Sequence, residues 1–263
     1  MPVSRRLVVG SLLNAAWLTA SVVGLAGCTA EGVKRAALTP GADVVRIDMT
    51  TDYAPGTPLA IDIENQGGDV TISVDPSLSQ PMVRATSMAP GKMQEAAPWA
   101  AATLSPSGVA AKDAAPILRV LAADISAAKR RTRLEVRVPA CAGLRVRNQD
   151  GSVSLAGVSG AVDVQNGTAL APGGPISLDT TQVLDTPLLL RTSSGPITAN
   201  LPAASHLDLE VTTGSGTVSV QATGMRGTDV KATKQAWSAT LNGGAAPGKI
   251  ATDAGDVVVH LVK

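Results

Sequence analysis

The chain has 263 residues, with 22 Lys+Arg against 21 Asp+Glu and a formal charge of +1. That balance leaves no basic excess to neutralise a phosphate backbone, so nucleic acid is excluded as a generic partner. Hydrophobic residues reach 44% but aromatics only 2%, so the core must be aliphatic and stacking platforms for bases or sugar rings are scarce; 26 Gly and 17 Pro speak against a helical bundle, and two cysteines are too few for a disulfide scaffold.

Residues 1–27 read as an export signal. Ser4, Arg5 and Arg6 form a positive n-region, and Leu7 to Gly24 is mostly apolar and uncharged. The apolar run approaches the ~18–20 residues that span a bilayer, so a transmembrane helix is the competing reading. The ending decides between them. Leu25-Ala26-Gly27-Cys28 looks like the bacterial lipobox, in which the cysteine thiol takes a diacylglycerol and becomes the first residue of the mature chain. Lipid (palmitate and related acyl chains) on Cys28 anchors the protein to a membrane, because each buried CH2 contributes ~0.8 kcal/mol. Loss of Arg5 and Arg6 takes the formal charge from +1 to −1. Thr29 rather than Asp follows the cysteine, which in lipoproteins of two-membrane bacteria favours the outer membrane. The expected location is extracytoplasmic, at the outer membrane or cell surface. Residues 28–42 are small and polar and read as a tether.

From residue 43 to 263 the chain reads as one β-strand-repeat domain. An octet recurs along it: NQGGDVTI at 65–72, NQDGSVSL at 148–155, APGGPISL at 171–178, TSSGPITA at 192–199, TGSGTVSV at 213–220, TKQAWSAT at 233–240 and TDAGDVVV at 252–259. The common form is small or polar, two turn residues, Gly, any, apolar, polar, apolar, with Ala236 in the glycine slot of one copy. From Gly151 onward the slots are 23, 21, 21, 20 and 19 residues apart. Between the copies lie second alternating runs such as Leu144-Arg145-Val146-Arg147 and Leu207-Asp208-Leu209-Glu210-Val211, the period-two pattern of half-buried strands. Two short strands and two turns per ~20 residues predict an all-β fold, a parallel β-solenoid (β-helix-like), with a β-sandwich as the alternative. Six or seven coils stacked ~4.8 Å apart make a rod ~30 Å long. The inward column is Val153, Leu155, Ile176, Leu178, Ile197, Val218, Val220, Trp237, Val257 and Val259. Residues 87–131 lack the alternation and read as an irregular insertion, within which Ile117–Leu121 is a strand or a short helix. Lys129-Arg130-Arg131, the only basic run, reads as a solvated loop.

These runs resemble the bacterial "putative adhesin" family of β-strand-repeat lipoproteins, a domain of unknown function. RLEVRVPA at 133–140, VRNQDGSVSLAGVSGAVDVQNG at 146–167, TSSGPITANLP at 192–202, TTGSGTVSV at 212–220 and TDAGDVVVHL at 252–261 carry the likeness. In that family a strand ending in Val-Pro leads into a ladder of G-D/S-V-x-L units. The resemblance covers 133–263 well and 43–85 more loosely. It implies an extracytoplasmic β-solenoid with a surface or adhesive role, and it supplies no catalytic residues.

Catalytic constellations are thin. His206 follows Ser205 at a corner and His260 lies on the last strand; the sequence has no G-x-S-x-G elbow, no Cys/His pair at zinc-ligand spacing and no GxxxxGK(S/T) phosphate loop. Cys141 reads as a small buried hydrophobe. A glycan-processing enzyme would need clustered carboxylates, for which Asp163, Asp208 and Glu210 are the candidates, with Asp208 brought near Asp163 or Lys231. Apart from Trp17 in the signal, only Trp99, Trp237 and Tyr53 could stack on a sugar. No catalytic, metal or cofactor residue is assigned. The expected function is therefore a non-enzymatic, lipid-anchored envelope protein that displays a β-solenoid for surface binding or adhesion, with an envelope protein or glycan as partner. The alternative is a scaffold that assembles through open solenoid ends, above all the terminal run Asp256–Lys263; a carbohydrate-active enzyme comes last.

Overall fold

The computed structural model describes residues 43–88, 95–97, 99–107, 115–123, 131–222 and 227–263. The described residues lie in one compact unit, Thr39–Lys263. The export signal, Cys28, the tether and Lys129-Arg130 fall outside them.

Alternation builds the strands. In Leu59–Asn65 (LAIDIEN) every odd residue is buried, and Arg131–Val138 (RTRLEVRV) buries every even one. The strands are β1 Ile47–Met49, β2 Leu59–Asn65, β3 Val70–Val74, β4 Met82–Met88, β5 Glu95–Ala96, β6 Ala100–Ser105 and β7 Ile117–Ala122. They continue with β8 Arg131–Val138, β9 Cys141–Asn148, β10 Val153–Ala156, β11 Ala161–Asn166, β12 Ile176–Asp179, β13 Leu188–Thr192 and β14 Ile197–Pro202. The last six are β15 Leu207–Ser215, β16 Val218–Ala222, β17 Gly227–Ala232, β18 Ala236–Leu241, β19 Ala246–Ala254 and β20 Val257–Val262. Residues 87–131 thus contribute β5, β6 and β7, and Ile117–Ala122 is a strand.

The described fold is all-β, with two parallel-rich sheets. One runs β1-β6-β7-β2-β9-β11-β13-β19-β15-β18-β17 and the other β16-β20-β14-β12-β10-β3-β8-β4-β5. Read together, the two orders define seven coils, each a strand of the first sheet followed by a strand of the second. Their spatial order is β7/β8, β2/β3, β9/β10, β11/β12, β13/β14, β19/β20, β15/β16. Between the sheets lies one aliphatic core. It contains Ile63, Ile72, Val136, Val146, Leu155, Leu178, Leu190 and Val259, all at most 1% exposed. Burying such side chains contributes roughly 1.5–3 kcal/mol each.

Three findings depart from the sequence-based expectation. First, the coils do not stack in sequence order. Coil β2/β3 sits between two coils that follow it, and coil β19/β20 sits between two that precede it. Second, the terminal strand is not an open edge, because β20 pairs with β14 on one side and β16 on the other. Assembly through a free edge at Asp256–Lys263 is therefore ruled out by the hydrogen bonds that strand already makes. Third, TKQAWSAT is not a coil. Its strand β18 runs antiparallel to both β15 and β17, which is why Ala236 needs no glycine. Trp237 still points inward, at 8% exposure.

The two ends of the stack are finished differently. At the β7/β8 end, Val45 N–H donates to Val83 O and Ala85 N–H to Asp43 O, while β5 pairs with the other half of β4 and β1 covers β6. At the opposite end β17 and β18 extend one sheet, and β16 closes the other. Val218 and Val220, in register with the fully buried Val257 and Val259, are only half-buried because no further coil among the described residues follows β16.

Candidate binding surfaces

The corner that leads from the first sheet to the second explains the octet. Gly151 stands at φ +97°, and a Cβ there would lie 2.3 Å from the carbonyl oxygen of Gly68 on the neighbouring coil. Successive corners stack backbone on backbone, so only glycine fits. Beside the glycines runs a buried polar column in strict register: Asn65, Asn148, Asn166, Thr192, Thr252, Thr213. Asn65 Nδ2 donates to Asn148 Oδ1 at 2.9 Å and Asn148 Nδ2 to Asn166 Oδ1 at 3.1 Å. The threonines donate to corner carbonyls instead, Thr192 to Gly174 and Thr213 to Gly255. The column satisfies carbonyls that the tight corner would leave buried without a donor. At its end Asn65 Oδ1 has no hydrogen-bond partner among the described residues.

The residue after the glycine clamps the next coil. Asp69 Oδ1 accepts from both Ser152 N–H and Oγ–H, and Asp256 Oδ1 accepts likewise from Thr217 at 2.8 Å. Burial pushes the Asp69 carboxyl up, but the two Ser152 bonds and the charges of Arg133 and Arg131 outweigh it and hold it below its ordinary value. The hydroxyl and N–H of Thr217 lower Asp256 in the same way.

The outer face of the β1–β17 sheet is charged and self-paired. Arg119, Asp62, Arg145 and Asp163 stand side by side on four consecutive strands. Arg145 grips Asp62 with two bonds of 2.8 Å, Arg147 grips Asp163 through both oxygens, and Lys249 lies 3.5 Å from Glu210. Each such exposed pair contributes about 0–1 kcal/mol, so the row matters more for neutralising the face than for stability.

The enzyme candidates are accounted for by these contacts. Asp163 is held by Arg147. Asp208 accepts from Thr240 Oγ1 at 3.3 Å, and β13 and β19 lie between its strand and that of Asp163. Glu210 faces Lys249. The carboxylates are not brought together. His206 is an exposed corner residue and His260 stands in register with Asn200 and Gln221. Cys141 is 6% exposed, its Sγ–H directed at Ser159 O at 3.4 Å, and burial raises its pKa above the usual thiol value. Tyr53 Oη–H donates to Thr57 O, and Trp99 Nε1–H donates to Thr132 Oγ1. Arg131, from the basic run, pairs with Asp150 at 3.0 Å.

The outer face of the other sheet has a different character. Thr71, Ser154, Ser177 and Thr198 stand in register on β3, β10, β12 and β14, a flat row of uncharged hydroxyls. One corner also departs from the pattern. Gly167–Gly174 forms a longer loop in which Thr168 Oγ1 accepts from Leu170 and Ala171 N–H, leaving Leu170 98% exposed. Shallow recesses of about 350 and 300 Å3 flank it, the first lined by Glu64, Gln66, Leu121, Arg147, Gln149 and Gln165 among others, the second by Arg191, Ser193 and Asp253 among others. Sequence reasoning missed the polar column, although each octet that forms a coil corner through its glycine, except APGGPISL, opens on one of its Asn or Thr residues.

Comparison with known proteins gives little by sequence and more by family. No curated protein matches the chain. Among solved structures, the chain is similar to a "putative cell adhesion protein" from Clostridium sporogenes, at 10% identity and a TM-score of 0.45, over 80% of this chain and 96% of that one. It is also similar to a "putative adhesin" from Bacteroides fragilis, at 12% identity and a TM-score of 0.25, over 80% of this chain and 95% of that one. A family described as Toastrack DUF4097 matches residues 60–260. That span runs from β2 into β20 and takes in every glycine corner, so the chain belongs to the Toastrack DUF4097 family.

Proposed function

We propose that this protein is a non-enzymatic, lipid-anchored component of the cell envelope that displays its stacked coils for surface binding. The observation that supports this best is the flat hydroxyl row on β3, β10, β12 and β14. Strand spacing sets its repeat at about 4.8 Å, and the surrounding hydrogen bonds hold it rigid. A rigid periodic face suits many weak contacts with an envelope glycan or protein, each small and together specific. The lipid on Cys28 would fix the unit to a membrane, with the outer membrane or cell surface as its site.

Two experiments test this reading. Metabolic labelling with a fatty-acid probe in the native host should label the chain, and Cys28→Ser should abolish the label. Intact-cell protease should cleave the labelled protein; a labelled but shielded protein would move the reading to an inward-facing scaffold. Separately, Ser154→Lys with Ser177→Lys should leave folding intact and remove sedimentation of the protein with isolated envelope polysaccharide. Unaltered sedimentation would show that this face is not the binding surface.

A further inference from the structure

The placement of coil β19/β20 creates an interaction surface inside the stack. The links that join β14 to β15 are residues 203–206, yet β13 and β15 do not touch as neighbours. They stand two strand spacings apart, about 9.6 Å, and so do β14 and β16. The space between is a slot with two strand edges on each side. Coil β19/β20 fills it and pairs with all four edges, β13 and β15 through β19, β14 and β16 through β20. Its side chains Ile250, Val257, Val259 and Leu261 are at most 1% exposed. Because the coil follows β15–β18 in sequence and lies between β13/β14 and β15/β16, the slot must be open before the coil is seated.

One short strap holds the coil to its own slot. Residues 242–245 cross over the start of β15, since β18 lies on one side of that strand and β19 on the other. Asn242 and Gly243 turn with φ of +51° and +67°, and Asn242 Nδ2 donates to Ala203 O and Ser205 O. The contacts inside the slot do not depend on which molecule supplies the coil. An extended strap from Leu241 to Ala246 reaches about 17 Å, enough to lead out of the slot instead of across β15.

We propose that this coil is exchangeable between copies: a second copy of this chain seats its residues 246–262 between β13/β14 and β15/β16, giving a reciprocal dimer. Every strand pairing and buried contact of the coil is retained, and only the strap changes conformation. The interface differs from edge-to-edge assembly, because it lies within the stack and leaves both outer faces free. It stands independently of the surface-binding reading.

Thr198 and Val258 are register neighbours on β14 and β20, so exchange sets cysteines at these sites side by side in two different molecules and raises their disulfide above the collisional background. Full-length chains with Cys28→Ser and Cys141→Ala would be prepared in two tagged forms, one with Thr198→Cys and the other with Val258→Cys. They are unfolded together in urea, refolded at high concentration and oxidised. The expected result is a covalent heterodimer at least tenfold above that formed by Thr71→Cys with Val258→Cys, since β3 and β20 are not neighbours. Adding Gly243→Pro, which forbids the positive φ of the strap, should raise the heterodimer yield about tenfold. Heterodimer no higher than the Thr71 control, while Thr198→Cys/Val258→Cys in one chain closes its own disulfide, would overturn the proposal. A yield lowered by Gly243→Pro would overturn the role of the strap.

Discussion

Each coil turns two corners, and the two are built by different rules. From the β1–β17 sheet to the other, four residues separate Asn65 from Val70, Asn148 from Val153, Thr192 from Ile197, Thr213 from Val218 and Thr252 from Val257. Asn166 to Ile176 is longer, by the Leu170 loop, and the link from β7 to β8 falls largely outside the described residues. On the return, the links are two residues from β8 to β9, four from β10 to β11, eight from β12 to β13 and four from β14 to β15. The first corner shares one chemistry along the stack: glycine against backbone, and a buried amide or hydroxyl against carbonyls. The return corner shares none. It is also where the chain skips a slot, at Pro139-Ala140 past β2/β3 and at residues 203–206 past β19/β20. The first corner keeps one length wherever the glycine and the polar column recur, while the return link varies from two to eight residues and carries the changes of order.

The sharpest way to break this contrast is to add one methyl group at each corner. Gly151→Ala puts a Cβ against the Gly68 carbonyl at a strained φ, and should cost about 3–5 kcal/mol, read as a fall of roughly 10 °C in Tm. Gly157→Ala, at a return corner, meets Val74 Cβ at 3.4 Å and Val74 O at 3.8 Å, ordinary contact distances, and should cost about 1 kcal/mol for its φ of +69°. Equal losses at the two sites would dissolve the distinction.

The polar column comes next. Asn148→Ala removes the donor to Gly68 O, Asp150 O and Asn166 Oδ1 and takes from Asn65 Nδ2 its shortest acceptor, leaving it the 3.4 Å bonds to Gly68 O and Thr132 O, so urea titration should show a loss of about 2–3 kcal/mol. Asn148→Asp should not rescue it, because a carboxylate there cannot donate.

These two columns also show what the sequence made legible. The glycine slots at 68, 151, 174, 195, 216 and 255 are visible because the close approach admits no other residue, and they give the all-β, parallel-rich character directly. The apolar residues that follow them are inward for the same reason, from Val153 to Val259. What the octet cannot encode is which coil lies beside which. Coil β19/β20 presents the same Gly-apolar-polar-apolar face whether it stacks last or is inserted, and the choice rests on the links and on β17–β18. TKQAWSAT misleads because alternation alone does not distinguish a parallel strand from an antiparallel one. The carboxylates Asp163, Asp208 and Glu210 were visible as outward residues, but their partners Arg147, Thr240 and Lys249 depend on neighbours set by that order.

Acid separates the corners more gently. The folded carboxyls of Asp69 and Asp256 lie below their unfolded values. Their contribution is therefore complete above the unfolded pKa of about 4 and is lost as pH falls through the folded values. Thermal melts between pH 6 and pH 2 should show Tm falling below about pH 4, and Asp69→Asn with Asp256→Asn should flatten that fall. A fall of unchanged steepness would assign acid sensitivity elsewhere. The smallest effect is expected at the return link of residues 180–187, where Val183 is 50% exposed. Two glycines inserted after Gln182 should change stability by less than about 1 kcal/mol. The same insertion at Gly195 should unfold the protein.

The interleaved order has one further consequence, for how such a chain changes its size. A coil duplicated at either extremity of the sequence would have to be threaded into the middle of the stack, past a neighbour already in place. A coil duplicated between β12 and β13 meets no such obstacle, because there sequence order and spatial order agree from β9 to β14. It would lengthen the stack by one strand spacing, about 4.8 Å, and leave both finished ends untouched. The fold therefore has an extensible midsection between two fixed termini, and homologues of different reach should differ in the number of coils there.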